Sequence, residues 1–185
     1  MILFINACVR PDSRTRRLAD RLLSRMSGEV REVKLWETEF PTADAAFIKR
    51  RDELIKSGEF ENVLFRLARE FARADEIVIA APLWDLSFPA SLKQYFEQIN
   101  VVGLTFRYTE SGAAEGLCRA KRLYYVSTAG GDFYPEEYGY GYVKALAETF
   151  YGIRETRLIK AVGLDIYGAD VESILRDCIK EIDEI

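Results

Sequence analysis

With 185 residues, 49% of them apolar, the chain can bury one good hydrophobic core but hardly two, so a single domain over residues 1–185 is expected. Its 26 basic and 30 acidic residues leave a net charge of −4, which argues against a nucleic-acid partner, and it contains no histidine. That absence excludes the commonest general base and metal ligand and every Ser-His or Cys-His nucleophile pair, leaving chemistry that a cofactor brings with it.

Strand one is predicted over Ile2–Cys8, followed by a helix from about Ser13 to Ser27 that puts Leu18, Leu22, Leu23 and Met26 on one face and stops at Gly28. Strand two, Val30–Trp36, alternates Val33 and Leu35 with Arg31, Glu32 and Lys34, as an edge strand does. A polar helical insertion runs from about Thr42 to Lys56 and closes at Ser57-Gly58. Val63, Leu64, Leu67, Ala68 and Phe71 mark the next helix, which leads to strand three, Glu76–Pro82.

Pro89 suits the first turn of a helix reaching Asn100, with Leu92, Tyr95, Phe96 and Ile99 as its apolar face. An exposed Thr/Arg/Tyr stretch, Thr105 to Glu110, follows. Strand four is Arg122–Thr128, then come a Gly- and Tyr-rich loop, Gly130–Gly141, and a helix carrying Val143, Leu146, Ala147, Phe150 and Tyr151. Strand five, Thr156–Leu164, and a helix with Val171, Ile174, Leu175, Cys178, Ile179 and Ile182 complete five βα units. Their alternation predicts a parallel sheet covered on both faces, a three-layer sandwich of strand order 2-1-3-4-5. Ligands of such a sheet bind at the carboxyl ends of the strands, beside the switch point between strands one and three.

The first residues, Met1-Ile2-Leu3-Phe4-Ile5, lack a basic leader, and the longest apolar run, Ile77–Trp84, is far shorter than the ~20 residues of a spanning helix. A cytoplasmic protein without membrane contact is therefore expected. Cys8, Cys118 and Cys178 are too scattered for a disulfide framework or a zinc knuckle, so no metal is expected. Six arginines crowd residues 10–25, and seven acids lie between Asp165 and Ile185; both runs read as solvated helix surface.

The unusual residues fall in three loops at the carboxyl edge. Cys8-Val-Arg-Pro-Asp-Ser-Arg-Thr15 ends at a helix N-terminus, where free N–H groups and the helix dipole favour an anion. Ser13 also reads as an ordinary N-cap. Cys8 and Arg14-Thr15 further spell C-x-x-x-x-x-R-[ST], the phosphate loop of low-molecular-weight phosphatases and arsenate reductases, with Asp165 as an acid. Against that alternative, Pro11 supplies no amide where such a loop needs one.

The second loop carries the most specific pattern: A-A-P-L-W-D-L-S-F-P-A-S-L-K-Q-Y-F from Ala80, with T-F-R-Y-T-E beginning at Thr105. It resembles the FMN-dependent NAD(P)H:quinone oxidoreductases and azoreductases of the flavodoxin-like fold. The resemblance implies that Ser13, Arg14 and Thr15 hold the flavin phosphate, with Thr15 replacing a serine. It implies that Pro82, Leu83, Trp84, Asp85 and Leu86 pack along the flavin edge, where Asp85 stands in place of asparagine. Ser127, Thr128, Ala129, Gly130 and Gly131 occupy the family's S-R-G-G position, whose amides reach the pyrimidine side of the ring. The downstream aromatics Phe133, Tyr134, Tyr138, Tyr140 and Tyr142 read either as the lining of a flat substrate pocket, with Tyr134 and Tyr138 as its candidates, or as loop packing.

The implied reaction passes electrons from NADH or NADPH through FMN to a quinone or azo acceptor. No G-x-G-x-x-G is present to cradle the pyrophosphate of FAD. A homodimer is also implied, with the helix Pro89–Asn100 as shared surface. A flavodoxin-type electron carrier would share fold and cofactor, though it normally shows a Thr/Gly/Asn-rich phosphate loop.

Overall fold

The computed structural model describes residues 1–185. In chain order its elements are β1 (Ile2–Asn6), α1 (Arg14–Arg25), β2 (Val30–Lys34), α2 (Ala45–Ser57), α3 (Arg66–Arg73), β3 (Glu76–Ala80), α4 (Ala90–Ile99), β4 (Phe106–Tyr108), β5 (Ala114–Gly116), β6 (Arg122–Thr128), α5 (Tyr140–Leu146), β7 (Glu155–Ala161) and α6 (Val171–Asp183). Five strands form a parallel sheet in the order β2-β1-β3-β6-β7, which is the predicted 2-1-3-4-5. The central strands read as continuous apolar runs because helices cover both faces. Leu3, Ile5, Ile77, Ile79, Leu123 and Tyr125 pack with α3, α4 and α5, while Ile2, Phe4, Val78, Tyr124 and Val126 pack with α1 and α6. Val33 is the buried side chain of the edge strand, and Leu35, just past its end, is buried too.

The predicted helix stops hold where the backbone demands them. Gly58 ends α2 at φ 72°, a left-handed C-cap that a side chain resists. Strands one, two, three and five all stop earlier than predicted, since Ala7-Cys8, Leu35-Trp36, Ala81-Pro82 and Val162–Leu164 already belong to loops. No helix is long and apolar enough to cross a membrane.

Two expectations are corrected. The stretch from Thr105 is not exposed at its start: Thr105 is fully buried, donating to the Ile99 carbonyl at 2.7 Å and accepting from the Val101 N–H at 3.1 Å. Phe106 packs on Phe150, and Phe106–Tyr108 pairs antiparallel with Ala114–Gly116, leaving only Arg107, Tyr108 and the turn beyond them outside. A three-residue strand is too short for its alternation to be read in sequence. The apolar face of α4 is not shared surface either, because Leu92, Tyr95, Phe96 and Ile99 are all inside the core of this chain.

The helix through Tyr151 changes character in its last turn. Residues Ala147–Tyr151 are wound as a π-turn, and Gly152 ends it at φ 73°. This bulge seats Tyr151 in the core, its ring 4.7 Å from that of Phe71 and its hydroxyl donating to Asn100 at 2.7 Å.

Candidate functional site

A cavity of about 270 Å³ opens at the carboxyl ends of β1, β3 and β6. It is walled by Cys8–Arg10 and Asp12–Thr15 from the first loop, Pro82–Trp84 from the second, Thr128–Gly130 from the third, and Leu164-Asp165 from a fourth.

The first wall is shaped by Asn6, whose buried side chain donates to Glu32 and accepts from the Cys8 N–H at 2.8 Å, turning the chain away from the sheet. Ser13 caps α1, its hydroxyl oxygen accepting from Arg16 N–H at 3.2 Å, so the N-cap reading holds. The N–H groups of Arg14 and Thr15, in the first helical turn, have no partner within the chain. Thr15 Oγ1 and Thr128 Oγ1 lie 2.6 Å apart across the base of the cavity. One hydroxyl hydrogen suffices for that bond, which leaves the other free to donate. Arg14 gives only its Nη1 to the protein, to the Leu164 carbonyl at 3.1 Å and to Asp165 at 2.7 Å, so the rest of its fork is unengaged.

Cys8, Arg14 and Asp165 meet at this cavity, yet the thiol is in the wrong state for a nucleophile. Burial pushes Cys8 up to about 11, against smaller lowering effects of Ser13 and Arg16. A phosphatase cysteine requires the opposite shift, and Asp165 is committed to Arg14.

In the second loop Trp84 and Ser87 exchange backbone hydrogen bonds of 2.7 and 2.9 Å, closing a tight turn with Asp85 and Leu86 at its tip. Both tip residues have positive φ, 49° and 69°, where glycine or asparagine is usual. Such strain costs on the order of 1 kcal/mol per residue and accumulates where a loop has to meet a ligand. Leu83 N–H donates to the Thr128 carbonyl at 2.9 Å, locking this loop to the third. Pro82, Leu83 and Trp84 line the cavity, whereas Asp85 and Leu86 lie exposed at the turn tip and do not.

The third loop splits by parity. Thr128 faces α1 and the cavity, while Ser127, one residue earlier on β6, faces the other side of the sheet, fully buried and with its hydroxyl unpartnered. Ser127 is therefore not a wall residue. Ala129 and Gly130 are, and Gly131 follows just outside. The N–H groups of Gly130 and Gly131 have no partner in the chain, although their carbonyls accept from Asp165 and Gly163. A Cβ on Gly130 would lie 2.4 Å from Asp165 Oδ2, so a side chain here would push the exposed Asp165 carboxylate away from Arg14. Tyr134 and Tyr138 do not line the cavity. Burial raises the Tyr134 hydroxyl to about 12, and Tyr138 lies exposed with its carbonyl accepting from Ser87.

The fourth wall escaped the sequence reading of the flavin site, where Asp165 entered only as an acid of the rival reading. Its signal is positional: Gly163-Leu164-Asp165 follows a parallel strand, as the other three loops do.

Beyond this geometry, the chain matches the flavodoxin-like fold family over residues 1–185 and belongs to it. Among curated relatives, it is 36% identical over 195 residues to FMN-dependent NADH:quinone oxidoreductase 2 of Clostridium acetobutylicum, covering 99% of this chain and 96% of that protein. It is 32% identical to the FMN-dependent NADH:quinone oxidoreductase of Coprothermobacter proteolyticus, over 94% and 90% of the two chains. The same fold is found in the azoreductase from Bacillus anthracis str. Sterne, with a TM-score of 0.85 at 24% identity over 99% of this chain and 96% of that one. A second solved structure, the FMN-dependent NADH-azoreductase from Bacillus anthracis str. Ames Ancestor in complex with FMN, gives 0.82 at 23% identity over 99% and 95%.

Proposed function

We propose that this protein is an FMN-dependent NADH:quinone oxidoreductase that also accepts azo compounds. One observation carries the reading: a single cavity joins unpartnered helix N–H groups and an arginine fork to the glycine loop with its free amides and to an aromatic wall. The relatives' names supply the reaction, and the residues present fit the cofactor. Ser13, Arg14, Thr15 and the first-turn amides would hold the phosphate, and Pro82, Leu83 and Trp84 the flat face of the ring. Gly130 and Gly131 would offer their N–H groups to its polar edge. Bound FMN supplies the two-electron redox centre, which is how an enzyme without histidine works.

The chain contributes placement and electrostatics. Amide dipoles fixed toward a polar edge favour negative charge there without reorganising. Trp84 and Leu83 exclude water from one side. Tyr134 lies outside the cavity, and burial raises its hydroxyl to about 12, which makes it a poor proton donor, so the protons taken up with the electrons come from solvent. The same reading takes residues 1–185 as one domain, cytoplasmic, working as a homodimer on small molecules. Trp84, Leu86, Phe133 and Tyr138, exposed around the loops, supply an apolar rim for a second copy.

The purified protein is expected to be yellow, to release FMN rather than FAD on denaturation, and to oxidise NADH with a quinone. Because donor and acceptor share one cavity, double-reciprocal plots should be parallel. Converging lines would move the acceptor to a separate pocket, and a protein that takes up no FMN would end the proposal. Flavin without quinone turnover would favour an electron carrier.

Cys8→Ser is expected to keep reductase turnover within a few fold, since the thiol makes only a weak contact to the Ala80 carbonyl at 3.6 Å. Hydrolysis of p-nitrophenyl phosphate should be absent in both proteins. Hydrolysis by the wild type that vanished in the variant would establish the phosphatase reading instead.

A further inference from the structure

A second basin lies at the opposite end of the sheet, where the strands begin. Helical spacing sets Arg66, Arg69 and Arg73 along one side of α3, Arg31 joins them from β2, and Arg119 from the approach to β6. They surround an open cavity of about 530 Å³. Five guanidinium groups meet only three carboxylates there, and each carboxylate is shared. Glu70 Oε1 takes both Arg31 at 2.7 Å and Arg66 at 3.0 Å. Glu61 takes Arg73 at 3.2 Å and Arg69 at 3.5 Å. Asp75 takes Arg119 at 2.8 Å together with the α-amino group of Met1.

Two unit positive charges are thus left uncompensated in one basin, before the amino group is counted, in a chain of net charge −4. Gathering cations this densely costs self-repulsion unless an anion spreads over them. The side chains of Arg73 and Arg119 are each 70% exposed and engage a carboxylate through one nitrogen, Nη2 and Nε respectively, so the rest of each fork remains available. Arginine forks match phosphate oxygens in pairs. The surplus is divided between the two arginines on Glu70 and the two on Glu61, so a ligand with linked phosphates can meet more than one of these groups at once.

We propose that this basin binds an oligophosphate, a ligand with two or more linked phosphate groups, in a site separate from the cofactor cavity. The proposal does not rest on the oxidoreductase reading, because the two sites lie at opposite ends of the strands.

The test is calorimetric titration of the intact protein, loaded with whatever flavin it carries, with inorganic tripolyphosphate at about 50 mM salt, where arginine–phosphate attraction is least screened. One saturable site is expected, at least tenfold tighter than orthophosphate. Arg73→Ala combined with Arg119→Ala should weaken it at least tenfold with flavin content unchanged. Glu61→Gln should tighten it severalfold, a gain that misfolding cannot imitate. ATP distinguishes the sources: tighter binding than tripolyphosphate assigns a nucleotide, and weaker or equal binding an inorganic chain. Absence of saturable binding, or an affinity indifferent to the two arginines, would overturn the proposal. So would a single-stranded oligonucleotide that outcompetes tripolyphosphate, which would make the basin a nucleic-acid surface.

Discussion

Gly116→Ala is expected to destabilise the fold by about 3 kcal/mol, near the upper end of what overpacking a core costs. For a chain of this size that corresponds to a drop in Tm of roughly 6–12 °C. A Cβ at this position in β5 would lie 2.2 Å from both the carbonyl carbon of Tyr151 and the amide nitrogen of Gly152. Those atoms belong to main chain and cannot rotate aside as a side chain would. Relief requires β5 to lift away from the π-turn, loosening the seat of Tyr151 against Phe71 and its hydrogen bond to Asn100. Thermal and urea denaturation followed by circular dichroism measure the effect. A variant with wild-type stability would show that the two segments do not touch in solution.

Arg14→Gln should raise the dissociation constant for FMN by about 10–100-fold, the loss of a charge-assisted hydrogen bond to phosphate. The fold should be unaffected, since the Arg14–Asp165 pair is exposed on both sides and such pairs contribute little. Quenching of flavin fluorescence gives the affinity, and riboflavin, which lacks the phosphate, is the control. If riboflavin weakened as much as FMN, Arg14 would be shaping the cavity rather than pairing with phosphate. If neither changed, Arg14 would lie outside the binding site and the first loop would act through its amides alone.

Much of this protein is determined along the chain itself. Runs such as Ile2–Ile5 and Ile77–Ala80, buried on both faces, dictate central parallel strands, and the helical stripes between them dictate the layers. Sheet order then brings the loops after β1, β3 and β6 to one edge, and the second of these carries a pattern specific enough to name a cofactor. Tertiary structure alone decided which residues of those loops face the cavity. Whether Ser127 or Thr128 looks toward α1 depends on the register of β6 beside β3, and a shift of one residue exchanges them. Asp85 and Leu86 left the wall because backbone bonds between Trp84 and Ser87 lift them onto a turn. Asp165 joined it through a contact with Arg14 spanning 151 positions, and the arginine basin gathers residues from 31 to 119 around three carboxylates. Periodicity reports which way a residue faces within its own element, but pairings between distant elements follow from how those elements pack, and local sequence does not encode that.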